Sequence, residues 1–154
     1  NNQFQVIVDY AHTPDGFEKL FKYAKEIVGD KRIISVFGSA GERDILKRSI
    51  LGEIADKYSD MIILTEDDPR NESVVAISKQ IAEGIEQNYI VIENRYDAIY
   101  QAIELANNGD IILVLGKGND LYMALDSGKE TYMGDVNIVR EILKEYLQKE
   151  NENE

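Results

Sequence analysis

Short apolar runs alternate with amphipathic stretches along the whole of this chain. Phe4–Val8, Ile33–Phe37, Met61–Leu64, Tyr89–Ile92 and Ile111–Leu115 are dense in Ile, Val and Leu, the composition of strands buried on both faces. Between them, apolar residues recur at helical spacing. Phe17, Leu20, Phe21, Ala24, Ile27 and Val28 mark a first helix, which Pro14 is placed to begin, and Ile50, Leu51, Ile54 and Ala55 mark a second. Ser73 is placed to cap a third, with Val74, Ile77, Ile81 and Ile85 on one stripe. Ala98, Ile99, Ala102 and Ile103 mark a fourth, and Asp135 is placed to cap a fifth that carries Val139, Ile142, Leu143 and Leu147. Before that last helix, Asp126-Ser-Gly128 reads as the turn of a short, exposed hairpin.

Strand–helix alternation of this kind predicts a Rossmann-like, doubly wound α/β fold. Its sheet is mostly parallel, helices cover both faces, and a short hairpin lies near the C-terminus. One domain is expected over residues 1–149, followed by a disordered acidic tail at 150–154.

Composition narrows the chemistry. The chain has 154 residues, no cysteine and one histidine, which excludes thiol redox chemistry and multi-histidine metal sites, so no metal site is expected here. A net charge of −12 repels phosphate backbones and argues against nucleic acid as a partner. No apolar run approaches the ~20 residues of a membrane helix and no signal peptide is visible, so the expected setting is cytoplasmic, with no membrane partner. The chain starts at Asn1 rather than Met, as an excised piece of a longer protein would.

In open α/β sheets, ligands bind outside the carboxyl ends of the strands. Four strand-end segments are rich in glycine and charge: Asp9-Tyr-Ala-His-Thr-Pro-Asp15, Gly38-Ser-Ala-Gly-Glu-Arg-Asp44, Glu66-Asp-Asp-Pro-Arg70 and Gly116-Lys-Gly-Asn-Asp120. The opposite loops, such as Gly29-Asp-Lys31 and Asn107-Asn-Gly109, read as plain turns. Each segment also has a bland reading. Asp9 and His12 could organise a turn, Gly38 and Gly41 could permit a tight bend, Arg43 and Arg70 could be solvated, and Asp67 and Asp68 could cap the next helix. Lys117, between two glycines after a buried strand, is harder to dismiss. Convergence on one edge carries the argument. Two arginines suit carboxylates, and Asp68 and Asp120 suit an ammonium, so the ligand expected is polar and zwitterionic. No Walker A sequence is present.

These segments, in this order, resemble the C-terminal domain of the Mur ligase family, over Val6 to about Leu147. Val36-Phe-Gly-Ser-Ala-Gly-Glu-Arg-Asp44 with Lys47-Arg48 and Gly52 resembles the family's glycine loop, although Glu42 stands where Asp is usual. Asp67-Asp-Pro-Arg70 with Glu72 resembles the Asp-Asn-Pro-Arg of the MurE type, with Asp68 in place of Asn. Gly116-Lys-Gly-Asn-Asp120 resembles its Gly-Lys-Gly-His-Glu, with Asn119 for His and Asp120 for Glu. The resemblance implies an ATP- and magnesium-dependent amide ligase of peptidoglycan synthesis. Such an enzyme adds a third amino acid, meso-diaminopimelate or else L-lysine, to UDP-N-acetylmuramoyl-L-alanyl-D-glutamate through an acyl phosphate. Phosphates and most magnesium ligands lie on a central domain, so this chain alone is expected to be inactive without the central and N-terminal domains. By the same resemblance Asp9 and His12 bind nucleotide. Arg43, Asp68, Arg70, Gly116 and Asp120 line the amino-acid site, and no catalytic residue is assigned to this domain. Two alternatives remain open: a cyanophycin- or folylpolyglutamate-type synthetase domain, or a non-enzymatic Rossmann-like module for a small ligand.

Overall fold

The computed structural model describes residues 3–153. Five strands form one sheet: β1 (Gln5–Asp9), β2 (Ile33–Phe37), β3 (Met61–Leu64), β4 (Ile90–Val91) and β5 (Ile111–Leu115). All their pairings are parallel, in the order β1-β5-β2-β3-β4. The strand β2 lies at the centre, and β5 lies between β1 and β2, with Val114 in register with Val8 on one side and Val36 on the other. Both faces of β2 and β5 are buried, which is why β5 reads as an unbroken apolar run and β2 as one interrupted only by the buried Ser35.

Five helices cover the sheet: α1 (Pro14–Val28), α2 (Leu46–Tyr58), α3 (Val74–Ala82), α4 (Arg95–Leu105) and α5 (Asp135–Glu152). Period-two alternation sends Ile33, Phe37, Ile62, Leu64 and Leu113 to one face, where α1, α2 and α3 pack through Phe17, Phe21, Leu51, Ile77 and Ile81. Ile34, Val36, Ile63, Ile112 and Val114 face the other way, against Ala98, Ile99 and Ile103 of α4 and Ile138 and Ile142 of α5. Each such fully buried aliphatic side chain contributes about 1.5–3 kcal/mol of transfer free energy, so two cores of this size hold the layers together. The first three crossovers run outward from β1 to β4. The connection through α4 then returns to β5, and the winding direction reverses there.

Local chemistry fixes the helix starts. Thr13 accepts from the Gly16 amide and Pro14 opens α1. Ser73 accepts from Ala76 and starts α3, so Asp67 and Asp68 do not cap it. Asn94 caps α4 through the Asp97 amide.

Several expectations need correction. The cap of α5 is Gly134, with φ 96°, and Asp135 is its first helical residue. The Asp135 carboxylate is instead buried against Arg95, at 2.8 Å. The helix α5 continues to Glu152, so residues 150–152 extend it where a disordered tail was expected; hydrogen bonds from the Asn153 amide to Lys149 and Glu150 close its last turn. Ile27, Ile50 and Leu147 belong to their helices but face solvent, because each lies at the margin of its apolar stripe. The hairpin of β6 (Tyr122–Leu125) and β7 (Gly128–Thr131) forms with its turn at Asp126-Ser127. It is not wholly exposed, since Met123 is buried. No helix among the described residues is long and apolar enough to cross a membrane.

Candidate functional site

The loops after β1, β2, β3 and β5 converge on a cavity of about 440 Å³ at the carboxyl edge of the sheet, beside the reversal of winding. The first loop brings Tyr10 and His12 to it, and the second brings Gly38, Ser39 and Arg43, with Lys47 from the first turn of α2. The third brings Asp67, Asp68 and Arg70, and the fourth Gly116 and Asp120, with Tyr122 of the hairpin closing one side. His12, Arg43, Asp68, Arg70, Gly116 and Asp120 therefore share one cavity, as the sequence reading required. Asp9 does not line it. Its carboxylate accepts from the Ala11 amide at 2.8 Å and shapes the turn that carries Tyr10 and His12.

The second and third loops are locked together. The Gly41 amide donates to the Asp68 carbonyl at 2.9 Å, and Arg70 Nη1 donates to the Gly41 carbonyl at 2.9 Å. A β-carbon at Gly41 would collide with the Pro69 carbonyl, so glycine is required for this approach. Gly116 has φ 110°, and a β-carbon there would collide with Asp67 Oδ2. Its missing side chain leaves Asp67 open to the cavity.

Asp68 and Arg70 are themselves left-handed, with φ 44° and 52°. Non-glycine residues adopt this region at a cost of about 1–3 kcal/mol and cluster at binding sites. The twist separates the two side chains. Asp68 Oδ1 takes a hydrogen bond from Lys117 Nζ at 2.7 Å and another from the Ala124 amide at 2.8 Å. Arg70 Nη1 reaches only the carbonyls of Gly41 and Asp68. Asp68 therefore does not neutralise the Arg70 fork, although the two residues flank the same proline. Among the described residues, neither Arg43 nor Arg70 forms an ion pair with a carboxylate, so the cavity presents two uncompensated guanidiniums.

Three features go beyond the roles the sequence assigned, although Lys117 was singled out there as hard to dismiss. Lys117 is wholly buried and faces Asp68 and Asp120. Ser39 is buried on the cavity wall and its hydroxyl has no partner. Asp67 lies on the floor, where burial pushes its carboxyl above the usual carboxylate range against the pull of Arg95 and Lys117. Position in the strand-end loops was the available signal for all three. Burial and pairing, which set them apart, are tertiary properties.

A glycine- and charge-lined cavity at the switch point of a parallel sheet defines a small-ligand α/β domain, and comparison with known proteins sharpens that class. The chain belongs to the Mur ligase family: the family profile described as "Mur ligase, glutamate ligase domain" matches residues 1–118. It is 44% identical over 146 residues to the "UDP-N-acetylmuramoyl-L-alanyl-D-glutamate--2,6-diaminopimelate ligase 1" of Clostridium acetobutylicum, covering 94% of this chain and 30% of that protein. It is 45% identical over 142 residues to the "UDP-N-acetylmuramyl-tripeptide synthetase" of Borreliella afzelii, covering 89% of this chain and 28% of that one. A solved diaminopimelate ligase of the same description superposes with a TM-score of 0.87 at 32% identity, over 95% of this chain and 30% of that one. A Yersinia pestis folylpolyglutamate synthase/dihydrofolate synthase shares the fold alone, with a TM-score of 0.58 at 21% identity, over 72% of this chain and 25% of that one. The chain thus spans about 30% of the length of the curated relatives it matches.

Proposed function

We propose that this chain is the amino-acid-binding part of an ATP-dependent amide ligase acting in cytoplasmic peptidoglycan synthesis. Its amino-acid substrate is meso-diaminopimelate, and its acceptor is UDP-N-acetylmuramoyl-L-alanyl-D-glutamate. One observation carries the reading. The cavity holds two guanidiniums without a protein carboxylate, beside the carboxylate of Asp120, and so complements a molecule with two carboxylates and a distal ammonium.

The acceptor's terminal carboxylate is activated by phosphoryl transfer from ATP on the central domain. The residues here orient the neutral amine that attacks the resulting acyl phosphate, forming the amide as the C–O bond to phosphate breaks and inorganic phosphate leaves with the amine's proton. Arg70 holds the distal carboxylate, Arg43 the carboxylate nearer the reacting amine, and Asp120 the distal ammonium; Gly116 leaves room for the chain between them. His12, on the exposed rim with its ring edge-on to Tyr10 at 5.0 Å, packs against the nucleotide. Asp9 spends one carboxylate oxygen on Ala11 and has the other available for a ribose hydroxyl. On this reading magnesium is held mainly by the central domain.

The test is phosphate release by the full-length ligase with diaminopimelate, lysine and ornithine offered in turn. Release driven by diaminopimelate is the expected result. An enzyme that turns over with none of the three overturns the reading.

A further inference from the structure

We propose that Lys117 is a positioning residue that sets the amino-acid specificity of the cavity, by neutralising Asp68 and so leaving Arg70 free for a substrate carboxylate. This rests on the ligase reading above and extends it to a residue that does not line the cavity.

Lys117 is wholly buried, and its ammonium sits 2.7 Å from Asp68 Oδ1 and 3.7 Å from Asp120 Oδ2. The Tyr122 and Tyr132 rings lie 5.1 and 5.9 Å from it. A buried ammonium survives only with counter-charges and polarisable neighbours, and this one has both. The pairing is directional. Left-handed backbone at Asp68 and Arg70 turns one side chain toward Lys117 and the Ala124 amide, and the other toward the Gly41 carbonyl. Arg70 thus meets only neutral protein acceptors and keeps its full charge for a ligand.

The consequence is selective. Diaminopimelate and lysine differ at the far end, where the first carries an ammonium and a carboxylate and the second an ammonium alone. A free Arg70 attracts the carboxylate and repels the lone ammonium. Without Lys117, the Asp68 charge would stand uncompensated two residues from Arg70, cancelling the fork and offering lysine a counter-ion. Lys117 therefore makes an aspartate at position 68 compatible with diaminopimelate.

The experiment is a double-mutant cycle in the full-length ligase, reading kcat/KM for diaminopimelate and for lysine. In the parent background, Lys117→Met is expected to shift the ratio toward lysine by about 10- to 100-fold, the worth of a charged hydrogen bond. In an Asp68→Asn background the same substitution is expected to leave the diaminopimelate preference in place, because the carboxylate beside Arg70 is gone and Lys117 keeps only its longer contact to Asp120, at 3.7 Å. Equal shifts in both backgrounds, or none in either, overturn the proposal. If Lys117→Met alone does not fold, Lys117→Gln, which can still donate a hydrogen bond to Asp68 but carries no charge, takes its place in the cycle, with the same shift expected in the parent background and none in the Asp68→Asn background. A parent that prefers lysine overturns the proposal together with the choice of amino acid. A parent inactive with both overturns the ligase reading itself.

Discussion

The guanidinium of Arg48 meets the carboxylate of Glu72 at two points, 3.1 and 2.9 Å apart, with the arginine wholly buried. Arg48 Nη2 also donates to the Ala40 carbonyl at 2.9 Å, and Glu72 Oε2 accepts from the Glu42 amide at 2.5 Å. A single carboxylate therefore ties α2 and the glycine loop after β2 to the loop after β3. Neither residue lines the cavity, yet the walls that carry Arg43 and Arg70 are set by this pair.

That pair gives a pH signature. Hydrogen bonds from Arg48 and then from the Glu42 amide hold the Glu72 carboxyl down at about 2, against an ordinary value of 4.5. A depressed folded value means the ionised form is favoured in the folded state. The stabilisation is therefore complete above about pH 4.5 and is lost as pH falls toward 2. Glu72→Gln is expected to lower stability at pH 7, in urea melts of this domain followed by circular dichroism, and the gap to the parent should narrow as pH falls. A gap that stays constant with pH would mean that the ion pair does not act through ionised Glu72.

How much of this was visible in the chain depends on which interaction decides each feature. Strands β2, β3 and β5 were legible to the residue, because burial on both faces favours a near-continuous apolar run, interrupted only by Ser35, whose hydroxyl accepts a hydrogen bond from Ser59. The edge strands were not. The sequence suggested Phe4–Val8 and Tyr89–Ile92, whereas pairing selects Gln5–Asp9 and leaves only Ile90–Val91 in β4, since an edge is bounded by its one neighbour. Six of the seven site residues reached one cavity because strand-end position is set by topology. The role of Asp135 was misread because a helix-start aspartate looks like a cap until a buried arginine from α4 is seen to claim it. The pairing of Asp68 with Lys117 spans 49 residues and a left-handed backbone, neither of which local pattern reports.

The isolated chain is expected to fold but not to form amide bonds. Two hydrophobic cores, one on each face of the sheet, lie within the described residues, while on the proposed reading the nucleotide's phosphates are bound by a separate domain. Positioning groups across a closing interface supplies about 7–11 kcal/mol of barrier lowering, and a lone domain forfeits it. Cooperative unfolding of the fragment, with no ATP-dependent product in a coupled phosphate assay, is the expected pair of results. Robust turnover by the fragment would contradict it.

Asp9→Ala in the full-length ligase is expected to raise the KM for ATP more than that for the amino acid. On the proposed reading, losing a ribose hydrogen bond at Asp9 would cost about 1–3 kcal/mol. Because Asp9 also receives the Ala11 amide, Asp9→Asn is the control, since an amide oxygen can keep the turn while the charge is removed. Kinetics in which only the amino-acid KM moves would place this loop against the other substrate.

Arg70→Ala separates the two candidate amino acids. Both alanine and arginine lack the freedom of glycine at φ 52°, so the backbone cost at this position is the same before and after. The Arg70 amide, which donates to the Ala124 carbonyl at 3.0 Å, is also retained. What is removed is a fork whose Nη1 holds the Gly41 and Asp68 carbonyls and whose charge no protein carboxylate compensates. A bound diaminopimelate would then carry an unpaired distal carboxylate, at a cost of about 2–4 kcal/mol in kcat/KM. Lysine, with no carboxylate there, loses nothing by the change and gains from the absence of a repelling cation. Use of diaminopimelate should therefore fall steeply while use of lysine holds or rises, and Arg70→Lys, which keeps the charge without the fork, should fall between. Parallel losses for both amino acids would show that Arg70 acts through the Gly41 loop and not through the substrate's far end.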